Sequence, residues 1–194
     1  MSQHICKVKG LMSSGYVNNH WIHDPKGYSI KSGYGLLQGG HPSVGWYKDV
    51  WDAWCFPKHS IICWLIQHEA LNIREKLFRL QISDSNQCVL CENGTETHEH
   101  LFYRCKYGEK IKNQLEEWLQ IQLDPNCMGI SMIQQRVCRM ALVAFWYCLW
   151  IERNSCRMEQ RLKCPERLVQ EIKRVLCARI QLKLAGGVRL QDKN

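Results

Sequence analysis

Apolar residues recur mostly at helical spacing along this chain of 194 residues. Pro57 suits the first position of a helix, because the amide that proline lacks would be unpaired there. Apolar side chains follow it at residues 61–66. Asn72 is placed to cap a second, short helix whose inward side would carry Ile73, Leu77 and Leu80.

Three further helices are predicted after residue 105. The first runs from 106 to 119 or 121, before turn residues at 124–126. The second covers about 131–157, and we expect it to be buried because it is apolar nearly all round at 140–151. The third begins at Pro165 and should end at about Ala185, where Gly186 and Gly187 follow.

The N-terminal part of the chain has a weaker pattern. Residues 1–26 show no clear period and predict an irregular arm. Residues 27–31 alternate between apolar and polar, which is typical of a short strand. Ser32 could cap a helix to Leu37, and Trp46, Val50 and Trp54 would share one face of another. The predicted fold class is therefore mainly α, with at most a small β element near 28–31.

Composition adds an uneven charge. The net charge is +8, yet residues 153–194 alone hold 11 basic and 4 acidic side chains, a net of +7. A basic end of this kind can bind nucleic acid, acidic lipid or an acidic protein, although it is more often a solvated helix face. The C-terminal part is thus a candidate interaction surface in its own right.

The pattern also indicates a compartment. The first ten residues lack the apolar segment of a secretory signal. The longest apolar run, Met140–Ile151, has 12 residues, fewer than the roughly 20 that span a bilayer. We therefore expect an intracellular protein of the nucleus or cytoplasm that has no membrane partner. In that setting its 12 cysteines should be reduced, as metal ligands or small core residues.

Three cysteines and a histidine have the spacing of a zinc knuckle. Cys88, Cys91, His100 and Cys105 form the pattern C-x2-C-x8-H-x4-C. Two cysteines separated by two residues can wrap a turn around one tetrahedral ion, and a second pair closes the coordination sphere. Three thiolates and an imidazole suit Zn²⁺, and four protein ligands leave no open position for catalysis. The sequence therefore predicts a structural zinc site.

The fourth ligand has an alternative in His98, which lies two residues before His100. We prefer His100, because Leu101 and Phe102 after it look like a core anchor, and we then expect His98 to be exposed to solvent. The remaining cysteines show no tight pairing. Four of them fall inside apolar helices, where small core residues are expected: Cys63, Cys138, Cys148 and Cys177.

Signatures of catalysis are missing from the sequence. No H-E-x-x-H, G-x-S-x-G or phosphate-binding glycine loop occurs. Gln87 stands where a zinc deaminase would have the proline before C-x-x-C. The carboxylates are scattered rather than clustered as two-metal polymerases and nucleases require. We therefore expect that the protein is not an enzyme.

A resemblance to a known family becomes specific over residues 18–121. The chain resembles the plant reverse-transcriptase zinc-binding domain of non-LTR (LINE-type) retrotransposon proteins, which also occurs as a stand-alone fragment. The residues that carry the resemblance are Gly27–Tyr34, Trp51, Pro57-Lys58, Trp64, Cys88, Cys91, His100-Leu101-Phe102 and Cys105. Trp150–Asn154 is similar to a tract that often follows in these proteins. The resemblance implies a zinc-binding module at 27–126, between the arm at 1–26 and a basic helical extension at 127–194.

The resemblance also implies a module associated with nucleic acid and without polymerase activity of its own. Aromatic and basic side chains beside a zinc knuckle can stack on or grip RNA or single-stranded DNA. The candidates flank the last ligand and are Phe102, Tyr103, Arg104, Lys106, Tyr107, Lys110 and Lys112. One alternative is a protein–protein adaptor that uses the apolar C-terminal helices. Another is a relic fragment without a host function.

Overall fold

The structure is a computed structural model, and it describes residues 50–124 and 131–191, with side chains described as far as residue 183. The predicted arm at 1–26, the strand near 28–31 and the helix at 32–37 therefore lie outside the described residues. The same holds for Trp46. The described residues all fall within one compact unit, Trp46–Asn194.

Helices dominate the described part of the chain. Their bounds are α1 Pro57–Gln67, α2 Arg74–Arg79, α3 Lys106–Leu119, α4 Met132–Glu159 and α5 Pro165–Gln191. A π-helical turn, His100–Arg104, precedes α3. The described ranges contain no strand, only a single antiparallel bridge between Gln87 and Thr95. The predicted mainly helical fold is confirmed.

The long helices begin where local chemistry predicts. Pro57 and Pro165 are the first residues of α1 and α5. Ser131 caps α4: its hydroxyl accepts from the amide of Gln134, and the Gln134 side chain accepts from the amide of Ser131. This capping box satisfies two amides that the first turn would otherwise leave unpaired.

Two predicted helix details are wrong. Asn72 does not cap α2, because Ile73 occupies the capping position and its side chain makes no capping bond. Leu80 follows the end of α2 and is 56% exposed, whereas Ile73 and Leu77 are buried as predicted. The amide of Arg74 instead donates to Glu96 Oε1 at 2.8 Å, so a residue from a distant loop does the capping.

The end of α5 also differs from the prediction. The helix continues through Gly186 and Gly187 to Gln191. Glycine costs about 1 kcal/mol relative to alanine inside a helix, which weakens a helix without ending it. A helix that is already about six turns long at that point has passed its costly nucleation step, so it can continue across two glycines.

One core joins the two halves of the described chain. Helix α4 packs against α1, α3 and α5, and α3 packs against α5. The predicted burial of α4 over 140–151 is confirmed from Met140 to Trp146 and at Leu149, whereas Ile151 is 44% exposed. Apolar residues before and after position 126 share this core, which extends from Val50 to Leu176. None of the described helices is both long and apolar enough to cross a membrane.

The cysteines predicted to lie in the core behave differently from one another. Cys63 and Cys138 are buried and Cys148 is half-buried. Cys138 is disulfide-bonded, so the expectation of reduced thiols is wrong there. Cys177 is exposed, because the buried face of α5 is set by Leu168, Ile172 and Leu176 and leaves position 177 outside it.

Candidate metal centre

A short hairpin-like loop holds the first two cysteines. The amide of Cys88 donates to the carbonyl of Gly94 at 3.0 Å, and the amide of Glu92 donates to the carbonyl of Cys88 at 2.9 Å. Glu92 and Gly94 have φ values of 54° and 77°, a left-handed conformation that lets the chain turn back sharply. The loop therefore folds Cys91 back towards Cys88.

The π-helical turn and the start of α3 supply the second pair. The amide of His100 donates to Thr97 Oγ1 at 2.9 Å, which fixes the entry to the turn. Leu101 and Phe102 are buried in the core, as their predicted anchoring role requires. Cys105 is the residue that precedes α3, and its carbonyl accepts from the amide of Glu109 at 2.8 Å.

The four predicted ligands come together in one cluster. The Sγ atoms of Cys88, Cys91 and Cys105 and a ring nitrogen of His100 all lie within 4.8 Å of one another. Cys88 Sγ is 3.9 Å from Cys105 Sγ, and Cys91 Sγ is 3.2 Å from His100 Nε2. Ligands about 2.3 Å (S) and 2.0 Å (N) from a tetrahedral Zn²⁺ would be about 3.8 Å (S–S) and about 3.5 Å (S–N) apart. The cluster fits a zinc ion.

Burial and a shared hydrogen bond set the protonation of the clustered thiols. Cys88 and Cys105 are buried, and Cys91 and His100 are half-buried. A hydrogen bond between Cys88 and Cys105 raises the pKa of Cys88 and lowers that of Cys105, whose thiolate also faces the amides of Gly108 and Tyr107. Bound zinc would replace the thiol protons, since thiolates are the metal-binding form.

His98 is not in the cluster, and its predicted exposure is wrong. The side chain is half-buried, both ring nitrogens are buried, and its ring centre lies 6.1 Å from that of Phe102. Burial lowers the pKa of His98. The chain between Thr97 and Cys105 is helical, so ligands at 98 and 100 point in different directions, and only His100 faces the cysteines.

The candidate nucleic-acid residues divide into buried and accessible ones. Phe102 and Tyr107 are buried, and the Tyr107 hydroxyl donates to the carbonyl of Lys163 at 3.0 Å. Neither ring can stack on a base, which contradicts the predicted contact at these two positions. The other candidates are exposed or half-exposed, and they are Tyr103, Arg104, Lys106, Lys110 and Lys112.

The accessible candidates lie on two sides of α3. Tyr103, Arg104 and Lys112 line a groove of about 400 Å³ against α4. Lys106 and Lys110 line a cleft of about 490 Å³ between the hairpin-like loop at 86–96, which we call the zinc loop, and the α4–α5 connection. Lys163 also lines this cleft, and the sequence prediction missed it because no spacing rule links it to the cysteines.

Residues 28–111 match the family model described as zinc-binding in reverse transcriptase. The matched segment contains all four clustered side chains, so zinc is the metal that this centre binds. The predicted resemblance to this domain is confirmed, whereas the plant and LINE-type origin stays a prediction. No curated protein and no solved structure matches the chain.

Proposed function

From the zinc-binding domain of reverse transcriptases that residues 28–111 match, we propose that this chain is a non-catalytic module that binds RNA or single-stranded DNA beside its zinc centre. Cys88, Cys91, His100 and Cys105 would hold the zinc ion, and four protein ligands would leave it no open position for a substrate. The nucleic acid then binds the protein surface next to the metal rather than the metal itself.

The cleft beside the zinc loop carries this proposal. Its lining includes Lys106, Lys110 and Lys163, and the zinc-ligand candidate Cys91 forms part of its wall. No carboxylate is among the described residues that line it. Charge of one sign in a cleft raises the local concentration of an oppositely charged ligand. The phosphodiester backbone of a nucleic acid is such a ligand.

The three lysines are not equally available. Lys163 Nζ lies 3.2 Å from Glu152 and 3.1 Å from Glu171, so its charge is already balanced. Lys106 and Lys110 are exposed and lie one turn apart on α3, and neither has an ion pair within 4 Å among the described residues. The charge of Lys110 also acts on the carboxyl of Glu166, at the start of α5. Lys106 and Lys110 are the side chains that we assign to phosphate contact.

The test removes both charges in the variant Lys106→Gln/Lys110→Gln. Each lysine that no longer neutralises a phosphate of the single strand should reduce the slope of log affinity against log salt by about 0.7. We expect a slope smaller by about 1.4 and an affinity about 10-fold weaker at low salt. Fluorescence anisotropy of a labelled single-stranded RNA between 50 and 200 mM salt measures both quantities.

A matched control removes two exposed charges elsewhere, in the variant Arg79→Gln/Arg174→Gln. It has the same net charge as the test variant, so a purely nonspecific effect of charge would weaken both equally. Equal loss in the two double variants would reject the cleft as the binding surface. No detectable RNA binding by the unaltered protein at low salt would reject the proposed function itself.

A second candidate function is protein–protein adaptor, favoured by a different surface from the one predicted. Most apolar side chains described on α4 and α5 lie in the core, although Met132, Ile133 and Met158 on α4 are exposed. A second exposed apolar surface is formed by Phe78, Leu80 and Ile82, which are 47%, 56% and 63% exposed. Light scattering after size exclusion tests self-association at this surface: a monomer that binds no apolar dye counts against it.

A further inference from the structure

A buried ion pair joins the zinc loop to helix α4. Arg153 Nε donates to Glu96 Oε1 at 3.0 Å, and Arg153 Nη2 donates to the same oxygen. The two side chains are 1% and 0% exposed, and they are 57 residues apart in sequence. Arg153 lies in the Trp150–Asn154 tract, beyond the segment that matches the zinc-binding family.

Glu96 joins the start of α2 to two points of the zinc loop. Its Oε1 accepts from the amide of Arg74 at the start of α2, and its Oε2 lies 3.5 Å from the amide of Val89. Its own amide donates to the carbonyl of Asn86 at 2.8 Å, across the hairpin-like loop. Val89 follows Cys88 directly, so the carboxylate of Glu96 contacts the backbone that carries the first two ligands.

The guanidinium of Arg153 is itself held in place. Nη1 donates to Asn154 Oδ1 at 2.8 Å, and the guanidinium carbon lies 5.0 Å from the centre of the Trp150 ring. Cys156, one helical turn further along α4, lies with Sγ 3.5 Å from the carbonyl of Val89. Helix α4 therefore contacts the zinc loop at two points one turn apart.

We propose that Arg153 is a positioning residue for the zinc centre, acting through Glu96 on the loop that carries Cys88 and Cys91. Replacing a buried ion pair by apolar residues often costs little, so such a pair is poor evidence for stability. Breaking a contact that orients metal ligands, in contrast, typically lowers metal affinity by 10- to 100-fold. Zinc affinity should therefore depend on Arg153, a residue of α4.

The test is Arg153→Met in the full-length chain, titrated with Zn²⁺ in competition with a chelator. We expect the zinc dissociation constant to rise about 10- to 100-fold. The visible bands of the Co²⁺-loaded protein should also change in position or intensity, because they report the geometry of the ligands. Arg153→Lys, which keeps the charge and one donor, should restore part of the affinity.

The matched control is Glu152→Gln. Glu152 is the adjacent residue, is also 1% exposed, and accepts from the amide of Lys163 at 2.8 Å without contacting the zinc loop. It should destabilise the α4–α5 packing and leave zinc affinity and the Co²⁺ bands unchanged. If Arg153→Met alters zinc affinity no more than Glu152→Gln does, the proposal is rejected.

A third variant guards against simple misfolding. Glu96→Gln keeps the shape of the side chain and its acceptor oxygen but removes the charge that pairs with Arg153. It should retain the helical circular dichroism spectrum and still weaken zinc binding. Unchanged zinc affinity in a folded Glu96→Gln variant would overturn the proposed positioning role.

Discussion

Cys91 links the hairpin-like loop to the π-helical turn that carries His100. Cys91 Sγ has two close neighbours, His100 Nε2 at 3.2 Å and the carbonyl of Asn93 at 3.4 Å. Leu101 and Phe102 are fixed in the core, whereas Cys91 is half-buried and lies on the hairpin-like loop, so zinc should supply much of the stability that joins this loop to the following turn. Removing one of the four ligands should therefore destabilise this loop before the rest of the fold.

Cys91→Ser should lower the zinc content from about one ion per chain to near zero at micromolar protein concentration. We expect amide hydrogen exchange in residues 86–105 to become fast, because the metal no longer links the two pairs of ligands. Elemental analysis and exchange mass spectrometry measure the two effects. Cys177→Ser, an exposed cysteine outside the cluster, is the control and should change neither. Full zinc content in Cys91→Ser would exclude Cys91 as a ligand.

A second residue couples the fold to pH. His59 is 3% exposed and stacks on Tyr147 with ring centres 4.2 Å apart. Burial, together with the nearby charges of Lys58 and Arg179, lowers its pKa from 6.5 to about 4. The unfolded chain therefore binds a proton at this histidine between pH 6.5 and pH 4, whereas the folded chain does not. The contribution of neutral, buried His59 to the free energy of unfolding is complete above pH 6.5, and it is lost as the pH falls towards 4.

The expected size follows from the two pKa values. Between pH 7 and pH 5 the free energy of unfolding should fall by about 2 kcal/mol from this residue alone. Urea unfolding of the zinc-loaded protein at both pH values measures the change. His59→Phe keeps the stacked ring and has no proton to bind, so its decrease in stability should be smaller by that amount. Equal decreases in the two proteins would show that His59 does not titrate as described.

At the scale of the helices, a start set by neighbouring residues can be predicted from the sequence, and a start set by a distant residue cannot. Pro57 and Pro165 act on the turn in which they lie, so the sequence alone predicts them. The Ser131–Gln134 capping box is equally local, and the structure adds it to a helix start that the apolar pattern predicts. Helix α2 begins because Glu96, 22 residues away, accepts from the amide of Arg74. A local sequence pattern cannot indicate a capping residue so far along the chain, which explains why the predicted cap at Asn72 is wrong.

The same distinction applies to the candidate site. The four clustered ligands follow from spacing, because C-x2-C and H-x4-C each lie within one turn or loop. Phe102 and Tyr103 are neighbours of similar chemistry, and the packing of α4 decides between them. Trp146 Nε1 donates to the carbonyl of Phe102 at 3.3 Å, while Tyr103 meets the edge of Trp146 and stays 53% exposed. Arg153 and Glu96 are equally hidden from sequence reasoning, since only the fold brings them together.

For the molecule as a whole, the C-terminal helices belong to the same folding unit as the zinc loop. Arg179 on α5 donates through Nε to the carbonyl of Trp54 at 2.9 Å and through Nη2 to those of Ala53 and Cys55, both at 3.2 Å. Its guanidinium also lies 4.6 Å from the ring centre of Phe56. The last helix therefore holds the segment just before α1, more than 120 residues earlier in the chain.

This arrangement predicts that the family-matched segment does not fold alone. A chain ending at Asp124 lacks α4 and α5, which cover Ile111 and Leu115 on α3 and Leu101 beside the zinc loop. Each large apolar side chain that stays uncovered forfeits about 1.5–3 kcal/mol, and several together exceed the stability of an ordinary domain. We expect no cooperative thermal transition, together with strong binding of an apolar dye.

A chain ending at Lys183 is the control for that truncation. It retains the buried residues Leu168, Ile172 and Leu176 of α5, and the hydrogen bonds from Arg179 to the segment before α1. It should melt cooperatively within a few degrees of the full chain and bind one zinc ion. Calorimetry and elemental analysis of both truncated chains provide the comparison. A cooperative transition and full zinc content in the chain ending at Asp124 would show instead that the zinc-binding segment is an autonomous domain to which the two helices are merely attached.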